Sequence, residues 1–194
     1  MQFRALDQWI RARVAIKLIV SITLGMTLAG ASVQAAATRR AQTGVVTYVV
    51  DGDTVWVQIG AHDKPLKVRI QGIDAPEICQ AGGVQAQAAL RARVMGQRVT
   101  VTSSSHDDYG RAVGTLHAQG QDVARWLVAN GHAWVYSYRR QKAAYADEFA
   151  QAQAARRGAF SDAQAVEPRV FRKAHGPCHS SKKHPSSYKK SGGL

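Results

Sequence analysis

Thiols are almost missing from this chain: Cys79 and Cys178 are the only cysteines among 194 residues. That scarcity argues against a zinc domain. His175, Cys178 and His179 fall close together but lack the second Cys/His pair that a structural zinc site wants. Acids are few as well, 13 Asp and Glu against 26 Lys and Arg, for a formal net charge of +13. Such a surface attracts polyanions, of which nucleic acid is the commonest and cell-envelope polymers the competitor. Apolar runs are short. Leu18 to Gly30 is about 13 residues, below the roughly 20 of a spanning helix, so no stable membrane span is expected once it is processed. No internal repeat is present.

What is there begins with a basic head, Arg4, Arg11, Arg13 and Lys17, ahead of that apolar run. Val33-Gln34-Ala35 follows at the spacing a signal peptidase reads. Residues 1–35 are therefore expected to be a signal peptide and the chain to be exported, periplasmic or secreted, with an uncleaved tether as the alternative. Cleavage would take the chain from 26 basic and 13 acidic residues to 22 and 12, a net charge of +10. In an oxidising compartment the two cysteines are expected to pair as Cys79–Cys178, pinning the C-terminal segment beside the loop of Glu77; two free thiols are the alternative.

After a polar lead over 36–42, β-branched residues take over. Val45, Val46, Val49 and Val50 predict a first strand, and Asp51-Gly52 a tight turn. Val55, Val57 and Ile59 alternate with Trp56 and Gln58 in a second strand. Val68 and Ile70 alternate with Lys67, Arg69 and Gln71 in a third, which runs to Gly72-Ile73-Asp74. A helix is predicted from Val84 to Met95, closed by Gly96. Strands follow at Val99–Val101 and Ala112–His117. Asp122 should cap a helix from Val123 to Ala129, and Tyr145, Phe149 and Ala152 mark a last helix ended by Gly158. Five short strands with a helix between the third and fourth predict an α+β protein, an OB-fold five-stranded β-barrel with three packed helices. That domain should cover 43–160. Residues 161–194 form an extension, and from Pro168 on it holds seven Lys/Arg and no acid. Past Cys178 its composition reads as a disordered tail, either solubilising or an anion-binding arm.

The chemistry concentrates in about thirty residues. Asp51 and Asp53 flank a glycine at a turn, and Asp74 ends a strand that pairs nearby. Carboxylates meeting there would repel one another unless a cation neutralises them, and all-oxygen donors select Ca²⁺ or Mg²⁺. An ordinary β-turn is the other reading of Asp-Gly-Asp, and the spacing is not that of an EF-hand. Arg69, in mid-strand, needs an anionic partner: a phosphate, or a salt bridge to Asp51 or Asp74. Arg111 follows a tight turn and is placed to point at the same site. Two guanidiniums can grip phosphate oxygens bidentately, and Glu77 is placed to orient or deprotonate a water.

Asp51-Gly52-Asp53-Thr54, then Arg69 with Gly72-Ile73-Asp74-Ala75-Pro76-Glu77, then Asp108-Tyr109-Gly110-Arg111 resemble, in order and spacing, the three signature segments of the staphylococcal nuclease (thermonuclease) family. The similarity covers Thr43 to about Phe160. It implies an OB-fold with three helices and a Ca²⁺-dependent nuclease acting on DNA and RNA to leave 3′-phosphate ends. By that resemblance Asp53, Asp74 and the backbone carbonyl of Ala75 hold the ion, with Asp51 near it through water. Arg69 and Arg111 hold the scissile phosphate, and Glu77 is general base or water orienter. Ala75 stands where the type member has threonine. Tyr109 aligns with a nucleotide-contacting tyrosine, whereas Trp134, Tyr136 and Tyr138 sit in shifted register, as base-stacking residues or as core. A monomer acting on accessible or single-stranded nucleic acid is expected. The rivals are a catalytically silent OB-fold nucleic-acid-binding module and a cell-envelope polymer binder.

Overall fold

Alternation of apolar and polar residues gives each strand one face to bury, and five such strands close on themselves. The computed structural model describes residues 40–136 and 144–178. The predicted signal peptide, Tyr138, His179 and the tail past Cys178 lie outside the described residues. The strands are β1 (Arg40–Val49), β2 (Thr54–Gln58), β3 (Leu66–Ile70), β4 (Ile73–Asp74), β5 (Arg98–His106), β6 (Ala112–Ala118), β7 (Gln121–Asp122) and β8 (Trp134–Val135). The helices are α1 (Gly83–Val94), α2 (Val123–Ala129), α3 (Ala146–Ala154) and α4 (Pro168–His175), with a 3₁₀ turn at Gly158–Ser161.

β1, β2 and β3 form the expected antiparallel meander, and β1 also pairs antiparallel with β5, which pairs with β6. A parallel pairing of β3 with β6, Val68 to Ala112 through Ile70 to Gly114, shuts the ring. The result is the predicted α+β OB-fold barrel, with no free edge left among its five strands. β1 starts at Arg40, inside the expected polar lead, because β5 is long enough to pair Arg40–Thr43 with Ser103–Thr100. The third strand breaks at Ile70 rather than running on to Asp74. Gln71-Gly72 turns the chain, with Gly72 at φ +82°, and Ile73-Asp74 restarts as β4 against Trp134-Val135 of β8.

Val46, Val55, Val57, Val68, Ile70, Val101 and Leu116 fill the barrel, and Leu90 and Val94 of α1 join Leu127 and Val128 of α2 in the same core. α1 buries Gly83, Ala86, Leu90 and Val94, one stripe at helical spacing. Asp122 caps α2 as expected, its carboxylate accepting from the amides of Ala124 and Arg125. Trp134 belongs to the core: it is 7% exposed and meets Phe160 edge-on, centroids 4.8 Å apart. α4, the fourth helix, lies in the extension, a stretch the sequence reading leaves without an element. Among the described residues no helix is long and apolar enough to cross a membrane.

Candidate active site

Strand register brings the chemistry to one end of the barrel. Thr54 at the start of β2 faces Arg69 of β3, and Arg69 in turn faces Val113 of β6, two residues beyond Arg111. The turn before β2 is fastened from both sides: the amide of Asp53 donates to Asp51 Oδ1 at 3.0 Å, and the amide of Ile70 donates to the Asp53 carbonyl at 2.8 Å. Gly52 is buried under α1, where a Cβ would sit 2.6 Å from the Ala75 Cβ and 2.8 Å from that of Ala86. Only glycine lets this turn pass so close to the Asp74–Glu77 loop.

Asp53 and Asp74 are almost fully buried, at 3% and 2% exposure. Arg69 spans them: Nη1 lies 3.0 Å from Asp53 Oδ1 and 2.9 Å from Oδ2, while Nη2 lies 3.0 Å from Asp74 Oδ1. Burial alone would lower the guanidinium's pKa, but Asp53 and Asp74 outweigh it and the net shift is upward, so Arg69 stays charged. Asp53 Oδ1 also accepts from the Thr54 hydroxyl at 2.8 Å, and Oδ2 from the Ala75 amide at 3.3 Å. Among the described residues no guanidinium bonds to Asp51. Burial, and then the charge of Asp53 beside it, push its carboxyl up to about 7.

Arg111 joins the same group through Thr54, whose hydroxyl accepts from Nη1 at 3.3 Å. Its other side is held by Asp107, 2.6 Å from Nε. Asp107 also accepts the amides of Tyr109 and Arg111, forming the scaffold of the Asp108–Gly110 turn. Burial would raise its carboxyl pKa, but the bonds and charge from Arg111 overcome that and hold it below the usual carboxylate range. Sequence reading passed over Asp107; its place two residues before a Tyr-Gly turn was the available signal.

A cavity of about 400 Å³ opens here, lined by Asp51, Asp53, Arg69, Ala75, Glu77, Tyr109 and Arg111, with Lys67, Pro76, Arg172 and Pro177 at its sides. Asp74 borders it through its pairs with Arg69 and Arg172. Tyr109 is 82% exposed, its ring beside the Arg111 guanidinium at 5.4 Å. Tyr136 is exposed but does not line the cavity, and Tyr138 lies outside the described residues. Cys79 and Cys178 are joined in the expected disulfide, Cα atoms 5.9 Å apart.

The sequence reading expects a metal to offset the acids. In the structure two arginines bond to them, Arg69 as its alternative reading allowed and Arg172 as no reading foresaw. Arg172 Nη2 lies 2.7 Å from Asp74 Oδ2, and Nη1 lies 3.0 Å from Glu77 Oε1. The bond to Asp74, more than opposing burial, raises its pKa. Among the described residues no three His, Cys, Asp or Glu side chains form a metal cage by themselves. The donors that do converge, Asp53 and Asp74, are hard oxygens on buried carboxylates. That chemistry fits a divalent ion completed by backbone oxygen and water.

Residues 67–161 match the family model described as staphylococcal nuclease homologue. An uncharacterized endonuclease of Escherichia coli O157:H7 is 35% identical over 130 residues, covering 66% of this chain and 84% of that protein. Protein ParB of Escherichia coli is 35% identical over 142 residues, 67% of this chain and 78% of its own. Micrococcal nuclease of Shigella flexneri is 33% identical over 142 residues, 68% and 80% of the two chains. With three motif segments gathered at one end of a closed barrel, and similarity running along most of each relative, the chain belongs to the staphylococcal nuclease homologue family.

Proposed function

We propose that the chain is a nuclease that hydrolyses phosphodiester bonds of DNA and RNA with Ca²⁺, tolerant of sequence, acting as an exported monomer on accessible or single-stranded stretches and leaving 3′-phosphate ends. The observation that carries the reading is the convergence of Asp53, Arg69, Glu77 and Arg111 on one open cavity. Relatives named endonuclease and micrococcal nuclease support the same class. The disulfide supports an oxidising compartment and so export.

In this reading Asp53, Asp74 and the Ala75 carbonyl would hold the ion, with Asp51 near it. When bound, the ion supplies positive charge that polarises a phosphoryl oxygen. Arg69 and Arg111 bind the phosphate and offset the charge that builds on its oxygens during attack. Thr54 and Asp107 aim Arg111. Glu77 orients the attacking water and accepts its proton. Tyr109, exposed at the rim, offers a ring on which a nucleotide can rest.

Labelled single-stranded DNA incubated with the protein should be cut when Ca²⁺ is present and left whole under chelator. Glu77→Gln should slow cleavage by at least about 100-fold while leaving affinity nearly intact. Binding with no fragments would replace the nuclease by a catalytically silent nucleic-acid-binding module. A matching loss of affinity would make Glu77 structural.

A further inference from the structure

Beyond residue 161, where the family match ends, the chain returns to the cavity and fastens to the loop that carries Glu77. Three attachments hold it. Gln80, 7% exposed, donates to the Val166 carbonyl at 2.6 Å, and its Oε1 accepts the Glu77 amide at 3.2 Å. Arg172 on α4 reaches Asp74 Oδ1 at 3.1 Å, Asp74 Oδ2 at 2.7 Å and Glu77 Oε1 at 3.0 Å. Cys79 is bonded to Cys178, three residues past the end of α4.

The pairing is selective. Asp74 already has Arg69, but among the described residues Arg172 is the cation that holds the Glu77 carboxylate. A glutamate free to sample its rotamers is a poor base, because proton transfer needs hydrogen-bond reach to one water. The guanidinium fork links Glu77 to the buried carboxylate of Asp74, with charge-assisted bonds on both. Arg172 also lines the cavity itself.

We infer that Arg172 is a positioning residue for hydrolysis: it holds Glu77 beside Asp74, and the Cys79–Cys178 disulfide keeps α4 in place to deliver it. This rests on the reading of Glu77 as the group that acts on water.

The test measures kcat and KM on labelled single-stranded DNA with Ca²⁺, Ca²⁺ affinity by titration calorimetry, and melting temperature. The full chain is compared with Arg172→Ala, Arg172→Lys and the paired Cys79→Ser/Cys178→Ser variant. Arg172→Ala should lower kcat by about 10- to 100-fold, the effect of a misplaced base, with KM changed by less than about threefold. Arg172→Lys keeps the charge without the fork and should recover only part of the rate. Removing the disulfide should lower kcat in the same direction, and adding that change to Arg172→Ala should cost nothing more, since both act through one residue. A fully active Arg172→Ala overturns the inference. So does a faster one that binds Ca²⁺ about tenfold tighter, which would make Arg172 a plug in the metal site. If the unaltered chain makes no fragments, the nuclease reading itself falls and takes this inference with it. Fragments from the unaltered chain and from Arg172→Ala at equal rates sink the inference alone.

Discussion

Thr54 has no exposed surface, and its one hydroxyl works in two directions, donating to Asp53 and accepting from Arg111. It is the joint through which the second arginine feels the acid cluster. Valine has nearly the same shape and can do neither, so Thr54→Val leaves an Asp53 lone pair short of a donor in a buried place. The expected cost is about 1–3 kcal/mol, read as a lower urea midpoint with unchanged slope. Cleavage should fall further than stability alone accounts for, because Arg111 loses one of its two supports. An unchanged midpoint would mean that water replaces the hydroxyl and that the joint is not closed to solvent. Neighbouring Asp51 shows the same environment from the other side: burial, and then the charge of Asp53, leave its carboxyl far above the ordinary range.

α1 lies against the turn that carries Asp51 and Asp53, so its packing and the site geometry are linked. Leu90 is fully buried on its inner stripe, while Val84 is 58% exposed. Leu90→Ala should destabilise by about 2–5 kcal/mol, and Val84→Ala by no more than about 0.5 kcal/mol, both checked by denaturant titration. Near-equal effects would mean that α1 is not clamped to the barrel. This helix was legible in the sequence, as were β2 and β6 near their observed ends, because period and punctuation are local signals; β1, β3 and β5 were found but each has one end several residues from the expected one. Asp53, Arg69 and Glu77 were legible for the same reason: turn, strand and loop residues of fixed type at short spacing. The parallel β3–β6 closure was not, since nothing in Val68–Ile70 says that Ala112–Gly114 will lie beside it. Arg172 was hidden more deeply. Its carboxylate partners lie 95 and 98 residues away, and α4 is only eight residues long, so Arg169, Arg172 and Lys173 read locally as one solvated basic face. For Trp134 the sequence leaves two readings open, base stacking or core, and its burial against Phe160 selects the core.

Taken whole, the molecule separates holding from attracting. The barrel, α1 and the clamp ending at Cys178 fix the cavity, whereas the excess of Lys and Arg over acids supplies long-range affinity for a polyanion. Residues 179–194 carry four lysines, Lys182, Lys183, Lys189 and Lys190, and no acid. Ending the chain after Cys178 keeps Arg172 and the disulfide and should leave melting temperature and kcat unchanged. Binding should weaken, because each phosphate neutralised on a single strand contributes about −0.7 to the slope of log affinity against log salt. Removing four such contacts would make that slope shallower by up to about 3, measured on Glu77→Gln so that the strand survives. A slope identical with and without the tail would make these lysines a solubilising segment and place the whole salt-sensitive grip on the barrel face around Lys67, Arg69 and Arg111.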